Sequence, residues 1–165
     1  MRSQSGALEE ILSIATEARE FSRATVWLES VCKARGVPVD ERYKLDICLN
    51  EALANVLEHG GDAARTAPIG LKLTLSGDRD AGAVWLTLHA GGAPFDPASH
   101  RTRPAPRTLE EAEPGGLGIL IMRTNADSII YERLQDANRT SFLVRWGTAS
   151  SDDGAESAPP VVAGD

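Results

Sequence analysis

One helical segment, residues 40–59, constrains the fold of this chain more than any other part of the sequence. Its apolar residues cover a wide arc, so most of the helix must be buried against other elements; they are Leu45, Cys48, Leu49, Ala52, Leu53 and Val56. Glu51, Asn55 and His59 follow one another at spacings of four and form a single polar line along this buried helix. The segment therefore predicts a largely buried helix with one polar stripe along it.

A carboxylate and an amide one helical turn apart are about 6 Å apart along the axis and can serve one small charged ligand. The Asn55 oxygen is a suitable ligand for Mg²⁺, which is typically shared with substrate phosphates, and Glu51 can then act as a general base beside it. A solvated polar stripe is the alternative for this pair. The alternative role for His59 is that of a helix C-terminal residue, which the helix dipole favours there.

Two glycine-containing segments follow. Gly92 opens the turn Gly-Ala-Pro-Phe-Asp-Pro after a predicted strand. The run Gly115-Gly116-Leu117-Gly118 opens an apolar helix, where free N–H groups and the helix dipole favour phosphate and glycine allows its close approach. A flexible linker that enters a helix is the alternative for the second segment.

The residues between these glycine segments, 91–114, contain four prolines and are predicted to include a lid over the ligand, at about 97–115. Arg101, Arg103 and Arg107 lie in it and are each either a phosphate contact or a solvated charge.

The remaining periodicity gives strands in adjacent pairs, separated by helices. Thr16 and Asp40 are predicted helix caps, and Gly36 and Gly60-Gly61 predicted helix ends. The predicted elements are a strand at 8–15, helices at 16–35 and 40–59, strands at 69–75 and 83–89, a helix at 115–125, and strands at 128–133 and 140–146. The order predicts an α+β fold, a two-layer α/β sandwich with a mixed sheet and helices on one face.

Composition narrows the class of protein. The 165 residues suit one domain, 1–147, followed by a disordered tail at 148–165 that is rich in Ala, Gly, Asp, Ser and Pro. The net charge of −7 argues against sequence-independent nucleic-acid binding. No signal peptide or membrane span is predicted, so we expect a cytoplasmic protein with no membrane partner. The two cysteines, Cys32 and Cys48, are expected to be buried core residues.

The order of these motifs resembles the Bergerat-type ATP-binding fold shared by gyrase, histidine kinases and MutL, the GHKL ATPases. Within that superfamily, residues 8–147 look most like the bacterial anti-sigma factor serine/threonine-protein kinases (RsbW-like) of partner-switching systems. The segment at 113–127, Glu-Pro-Gly-Gly-Leu-Gly-Ile-Leu-Ile-Met-Arg-Thr-Asn-Ala-Asp, is the most specific part of this resemblance.

The resemblance implies a role for each matching residue. Glu51 matches the catalytic general base, and Asn55 the Mg²⁺ ligand. The other implied ATP-binding residues are His59, Gly92, Gly115, Gly116, Leu117, Gly118 and Thr140, the last near the adenine pocket. The implied reaction transfers the ATP γ-phosphoryl group to a Ser or Thr of a STAS-type anti-sigma factor antagonist. A sigma factor would compete for the same protein, which is also expected to form a homodimer.

Ala90 departs from the family pattern. The family has an Asp there that accepts a hydrogen bond from the adenine amino group, and His89 should point to the opposite face of the strand. Loss of that bond costs roughly 1.5–3 kcal/mol, about 10- to 150-fold in affinity, unless water, a backbone carbonyl or Thr140 helps. A protein-binding module of the same fold without catalysis is therefore the rival function. A third possible function is that of a detached histidine-kinase ATPase domain.

Overall fold

The computed structural model describes residues 6–98 and 116–147. The predicted tail, most of the predicted lid with its three arginines, and Gly115 lie outside these ranges. The elements within them are β1 Leu8–Ile14, α1 Ala18–Ala34, α2 Val39–His59, α3 Gly61–Arg65, β2 Ile69–Gly77, β3 Gly82–Gly91, α4 Gly116–Asn125, β4 Ser128–Leu134 and β5 Ala137–Trp146. None of the helices described is both long and apolar enough to cross a membrane.

The strands form one sheet in the order β1-β2-β3-β5-β4. All four strand pairs in the described part of the chain are antiparallel, so the prediction of a mixed sheet was wrong in this respect. Short turns join β2 to β3 and β4 to β5, and such turns can only reverse the chain direction. The two hairpins meet through β3 and β5, which places both strands in the interior of the sheet.

The helices and the inward-facing strand residues share one hydrophobic core, as the two-layer prediction requires. Alternating leucines of β2 and β3 contribute to it, together with Phe142 of β5. The helices add residues that are almost fully buried, namely Ala24, Leu28, Cys32, Leu45, Cys48, Leu49, Leu53, Ile119 and Met122. Helix α2 lies at the centre of this layer, because both α1 and α4 pack against it.

Both predicted helix caps were wrong. Helix α1 begins at Ala18 after Glu17, and the Thr16 hydroxyl instead donates a 2.9 Å hydrogen bond to the Ala67 carbonyl, which ties the end of β1 to the start of β2. Helix α2 begins directly after Pro38, so Asp40 lies inside the first turn. A carboxylate in that turn interacts favourably with the helix dipole without capping an N–H group.

The backbone of Gly60, at the junction between α2 and α3, directly contacts the backbone of the turn after β3. Gly92 has a φ of +107°, and a Cβ there would overlap the backbone of Gly60, with the Gly60 Cα at 2.9 Å. The Ala93 N–H donates to the Gly60 carbonyl at 3.3 Å. Two glycines are therefore needed where the helix end and the strand end meet.

This contact predicts a large cost for Gly92→Ala. The new side chain would meet both an unfavourable φ and a backbone overlap, so we expect the free energy of unfolding to fall by about 3 kcal/mol or more. Gly61→Ala is the matched control, since Gly61 also has a positive φ, of +68°, but open space around it. There we expect a loss of only about 1 kcal/mol. Urea denaturation measures both, and equal losses would contradict the backbone contact.

The two cysteines are free and buried in the core, as predicted. Burial, with a smaller contribution from the charge of Glu51, raises the pKa of the Cys48 thiol to about 12. Burial is also the main cause that raises the pKa of Cys32 to about 12. The Cys48 thiol donates to the Met122 carbonyl at 3.8 Å and so links α2 to α4. Both thiols are therefore protonated and shielded at neutral pH.

We expect the native protein to resist alkylation by iodoacetamide at pH 8, while the unfolded chain takes up two labels. Mass spectrometry counts the labels. Native labelling at the rate of the unfolded chain would show that the thiols are accessible.

The free energy of unfolding should also fall as the pH rises from 9.0, where the unfolded thiols ionise, to about 12. The reason is that only the unfolded state loses these protons in that interval.

Candidate functional site

An open cavity of about 470 Å³ lies between α2 and the adjoining ends of β3 and β5. This volume includes the solvent space at the open mouth of the cavity. Its walls are mostly apolar, from Ala52, Val56, Leu88, Ala90, Met122 and Phe142, with Phe95 and Pro97 from the turn after β3. The polar side chains among the described lining residues are Asn55, Asn138 and Thr140. The cavity suits a flat apolar ring that makes a few polar contacts.

Asn55 is the buried polar group of this cavity. Its side chain lines the wall, only 7% of its surface is exposed, and its Nδ2 has no hydrogen-bond partner in the part of the chain that the structure describes. A buried polar group without a partner costs about 1–3 kcal/mol. A ligand oxygen could satisfy the amide, or the amide could turn its own oxygen toward a cation, so the residue fits a phosphate or a phosphate-bound Mg²⁺.

Glu51 lies one helical turn before Asn55, next to the first turn of α4. A Cβ placed at Gly118 would come within 2.6 Å of the Glu51 Oε2 atom. Glycine at this position therefore lets the start of α4 approach the carboxylate. The structure brings together the acid and the glycine segment, which lie more than sixty residues apart in the sequence.

The first turn of α4 has the open geometry expected of an anion-binding helix start. A Cβ at Gly116 would meet nothing within 4 Å, and Leu117 is 45% exposed. The first N–H groups of a helix lack partners within it. These groups and the Asn55 amide could therefore receive the charged part of a ligand whose ring fills the cavity.

The turn after β3 is held by residues that sequence reasoning missed. Asn138, paired with Ala90 across β3 and β5, donates to the Ala93 carbonyl at 2.8 Å. Its Oδ1 accepts from the Tyr131 hydroxyl at 2.6 Å and from Arg133 at 3.2 Å. Arg133 also donates to the Gly92 carbonyl at 2.7 Å. Only the register of β5 against β3 and β4 could have identified these three residues.

His59 lies beside the cavity without lining it. Its ring stacks on Phe95, with 5.3 Å between the ring centroids and 8° between the planes. Phe95 does line the cavity, and its N–H donates to the Asn138 Oδ1 atom at 3.4 Å. The direct role predicted for His59 in nucleotide binding stays a prediction. The contact that the structure shows is with the turn after β3, through the ring of Phe95.

Ala90 and Thr140 lie on the sheet wall of the cavity. Ala90 is 3% exposed, and Thr140 pairs with Leu88, two register positions from the pair of Ala90 with Asn138. The Thr140 hydroxyl has no hydrogen-bond partner among the described residues. His89 is exposed, while its neighbours Leu88 and Ala90 are buried, which confirms that it faces away from the cavity.

The described start of the predicted lid is attached to α4. The Arg123 guanidinium donates to the Ala98 carbonyl at 2.6 Å, and Pro97 lines the cavity. The predicted lid therefore begins beside α4, the helix whose first turn approaches Glu51.

Comparison with known proteins agrees with this arrangement. The model of the histidine kinase-like ATPase domain family matches residues 14–146. The serine/threonine-protein kinase BtrW of Bordetella bronchiseptica is 30% identical over 133 residues, which cover 81% of this chain and 91% of that protein. The family match runs from the last residue of β1 to the last residue of β5, so it contains every element that builds the cavity. This chain therefore belongs to the histidine kinase-like ATPase domain family.

Proposed function

We propose that this protein is a regulatory serine/threonine-protein kinase that uses ATP with Mg²⁺ as its cofactor. The observation that carries the proposal is the buried Asn55 Nδ2 atom, which has no partner among the described residues and lies one turn from Glu51 in the wall of an apolar cavity. Membership of the ATPase family and the 30% identity to a protein named as a serine/threonine kinase support it. The rival is a protein-binding module of this fold without transferase activity, which Ala90 favours.

The proposed ligand contacts divide the site into two parts. The purine ring would lie in the apolar cavity beside Ala90 and Thr140, and the phosphates near the N–H groups of Gly116, Leu117 and Gly118. Among the described residues no cluster of three or more His, Cys, Asp or Glu side chains could hold a metal ion. Mg²⁺ held by Asn55 would therefore take its other ligands from phosphate oxygens and water. When bound, it neutralises phosphate charge.

The reaction is proposed as direct transfer. The hydroxyl oxygen of a Ser or Thr forms a bond to the γ-phosphorus, the bond from that phosphorus to the β–γ bridging oxygen breaks, and ADP leaves with that oxygen. Glu51 accepts the hydroxyl proton. Gly118 leaves the space in which the Glu51 carboxylate rests, and the glycine start of α4 excludes side chains from the phosphates.

The phosphoacceptor is proposed to be a STAS-type anti-sigma factor antagonist, with a sigma factor as the competing partner. These assignments rest on the resemblance of the motif order to anti-sigma factor kinases. They place the kinase in a switch in which phosphorylation of one partner decides whether the other is bound.

Asn55→Ala tests the nucleotide site. We expect it to weaken ATP binding in the presence of Mg²⁺ by at least about tenfold, because it removes a hydrogen-bonding group that meets charge. Asn50→Ala is the matched control, since Asn50 is exposed on the same helix and bonds only to Asp46. Calorimetric titration with and without Mg²⁺ measures both. Equal affinity of the two variants would remove Asn55 from the site.

Glu51→Ala tests the transfer step. We expect it to lower transfer from labelled ATP to a purified STAS-type protein by roughly 10²- to 10⁴-fold and to spare ATP binding. Glu58→Ala is its control, because the Glu58 side chain is 64% exposed on the same helix. Gly118→Ala should also slow transfer, since its Cβ displaces the Glu51 carboxylate. ATP binding by the wild-type protein without any labelling of a serine or threonine would favour the binding module.

A further inference from the structure

The sheet wall of the cavity has few side chains that could recognise one particular base. A site rejects an analogue strongly only when the wrong ligand leaves a buried polar group of the protein unpaired. A carboxylate only accepts hydrogen bonds, so it distinguishes an amino group from a keto oxygen. No Asp or Glu is among the described residues that line this cavity, and Ala90 at its wall offers only a methyl group.

Two of the three polar side chains in the lining are committed elsewhere. The Asn138 oxygen already accepts from Tyr131, Arg133 and Phe95, and its nitrogen donates to Ala93. Asn55 lies one turn from Glu51, at the part of the site assigned to the phosphates. The Asn138 oxygen is therefore not free to accept a hydrogen bond from a base amino group, and Asn55 is assigned to the phosphates.

Most of the backbone of the wall is paired within the sheet. Strand β3 pairs with β5 as far as Gly91 and with β2 as far as His89, and β5 lies between β3 and β4. The N–H and C=O groups that form these ladders are not free for a base edge.

Thr140 is the third polar side chain in the lining, and its hydroxyl has no hydrogen-bond partner among the described residues. A hydroxyl rotates, so it accepts from an amino group and donates to a keto oxygen equally well. The polar side chain left to contact the base edge is therefore one that cannot distinguish an amino group from a keto oxygen.

We infer that this site binds purine nucleoside triphosphates without selecting for the 6-amino group of adenine. The apolar walls favour a purine over a smaller pyrimidine, and Thr140 pairs with either a 6-amino or a 6-oxo group. The inference rests on the proposed nucleotide function and adds the class of nucleotide that the site accepts.

The test is calorimetric titration of the full chain with ATP, ITP and UTP in Mg²⁺. ATP and ITP differ at the 6-position, and we expect their dissociation constants to agree within about threefold. UTP should bind at least about tenfold more weakly, because it fills less of the apolar cavity. ATP binding thirtyfold or more tighter than ITP binding would overturn the inference and leave the proposed function intact. Equal binding of UTP would also overturn it, since the base would then not be read.

Two variants sharpen the result. Ala90→Asp places an acceptor on the wall and should produce a preference for ATP over ITP of about 10- to 150-fold. Thr140→Val keeps the shape of the side chain and removes its hydroxyl, so it should weaken the binding of ATP and of ITP by the same factor. This variant keeps the inference testable if Ala90→Asp does not fold. If Thr140→Val weakened the binding of ATP and not of ITP, the role given to the hydroxyl would be contradicted. If no nucleotide binds at millimolar concentration, both the inference and the proposed function fail.

Discussion

Helix α2 must bury one broad face and still deliver polar groups to a cavity, and the rest of the structure follows from this requirement. Its apolar arc packs against α1, α4 and the sheet, which together form one core. Asn55 lies at the border of that arc, where burial leaves its Nδ2 without a partner in the described structure. The fold tolerates this cost of about 1–3 kcal/mol at a position where a ligand would remove it.

The site depends on contacts between segments that are far apart in the chain. Glu51 meets the glycine start of α4, and the turn after β3 is fixed by Asn138 and Arg133 from the β4–β5 hairpin. The hydrogen bonds of this turn occupy the side-chain oxygen of Asn138. What the sheet leaves for the base edge is the small methyl of Ala90 and the rotatable hydroxyl of Thr140.

Features set by local spacing could be predicted from the sequence. The polar line on α2, the two buried cysteines and the helix that begins with glycines each depend on residues a few positions apart. Features set by strand register could not be predicted, since the roles of Tyr131, Arg133 and Asn138 appear only when β5 pairs with β3 and β4. Thr16 shows the same limit, because its hydroxyl bonds to a carbonyl fifty-one residues away instead of capping the adjacent helix.

The meeting of Gly60 and Gly92 has a mechanical consequence. Side chains normally separate two packed segments and absorb small shifts by rotating, but here two backbones touch directly and share a hydrogen bond from Ala93 to Gly60. The turn that borders the cavity therefore has little room to shift unless the end of α2 shifts with it. The short helix α3 begins at Gly61, directly after this contact, although none of its residues lines the cavity.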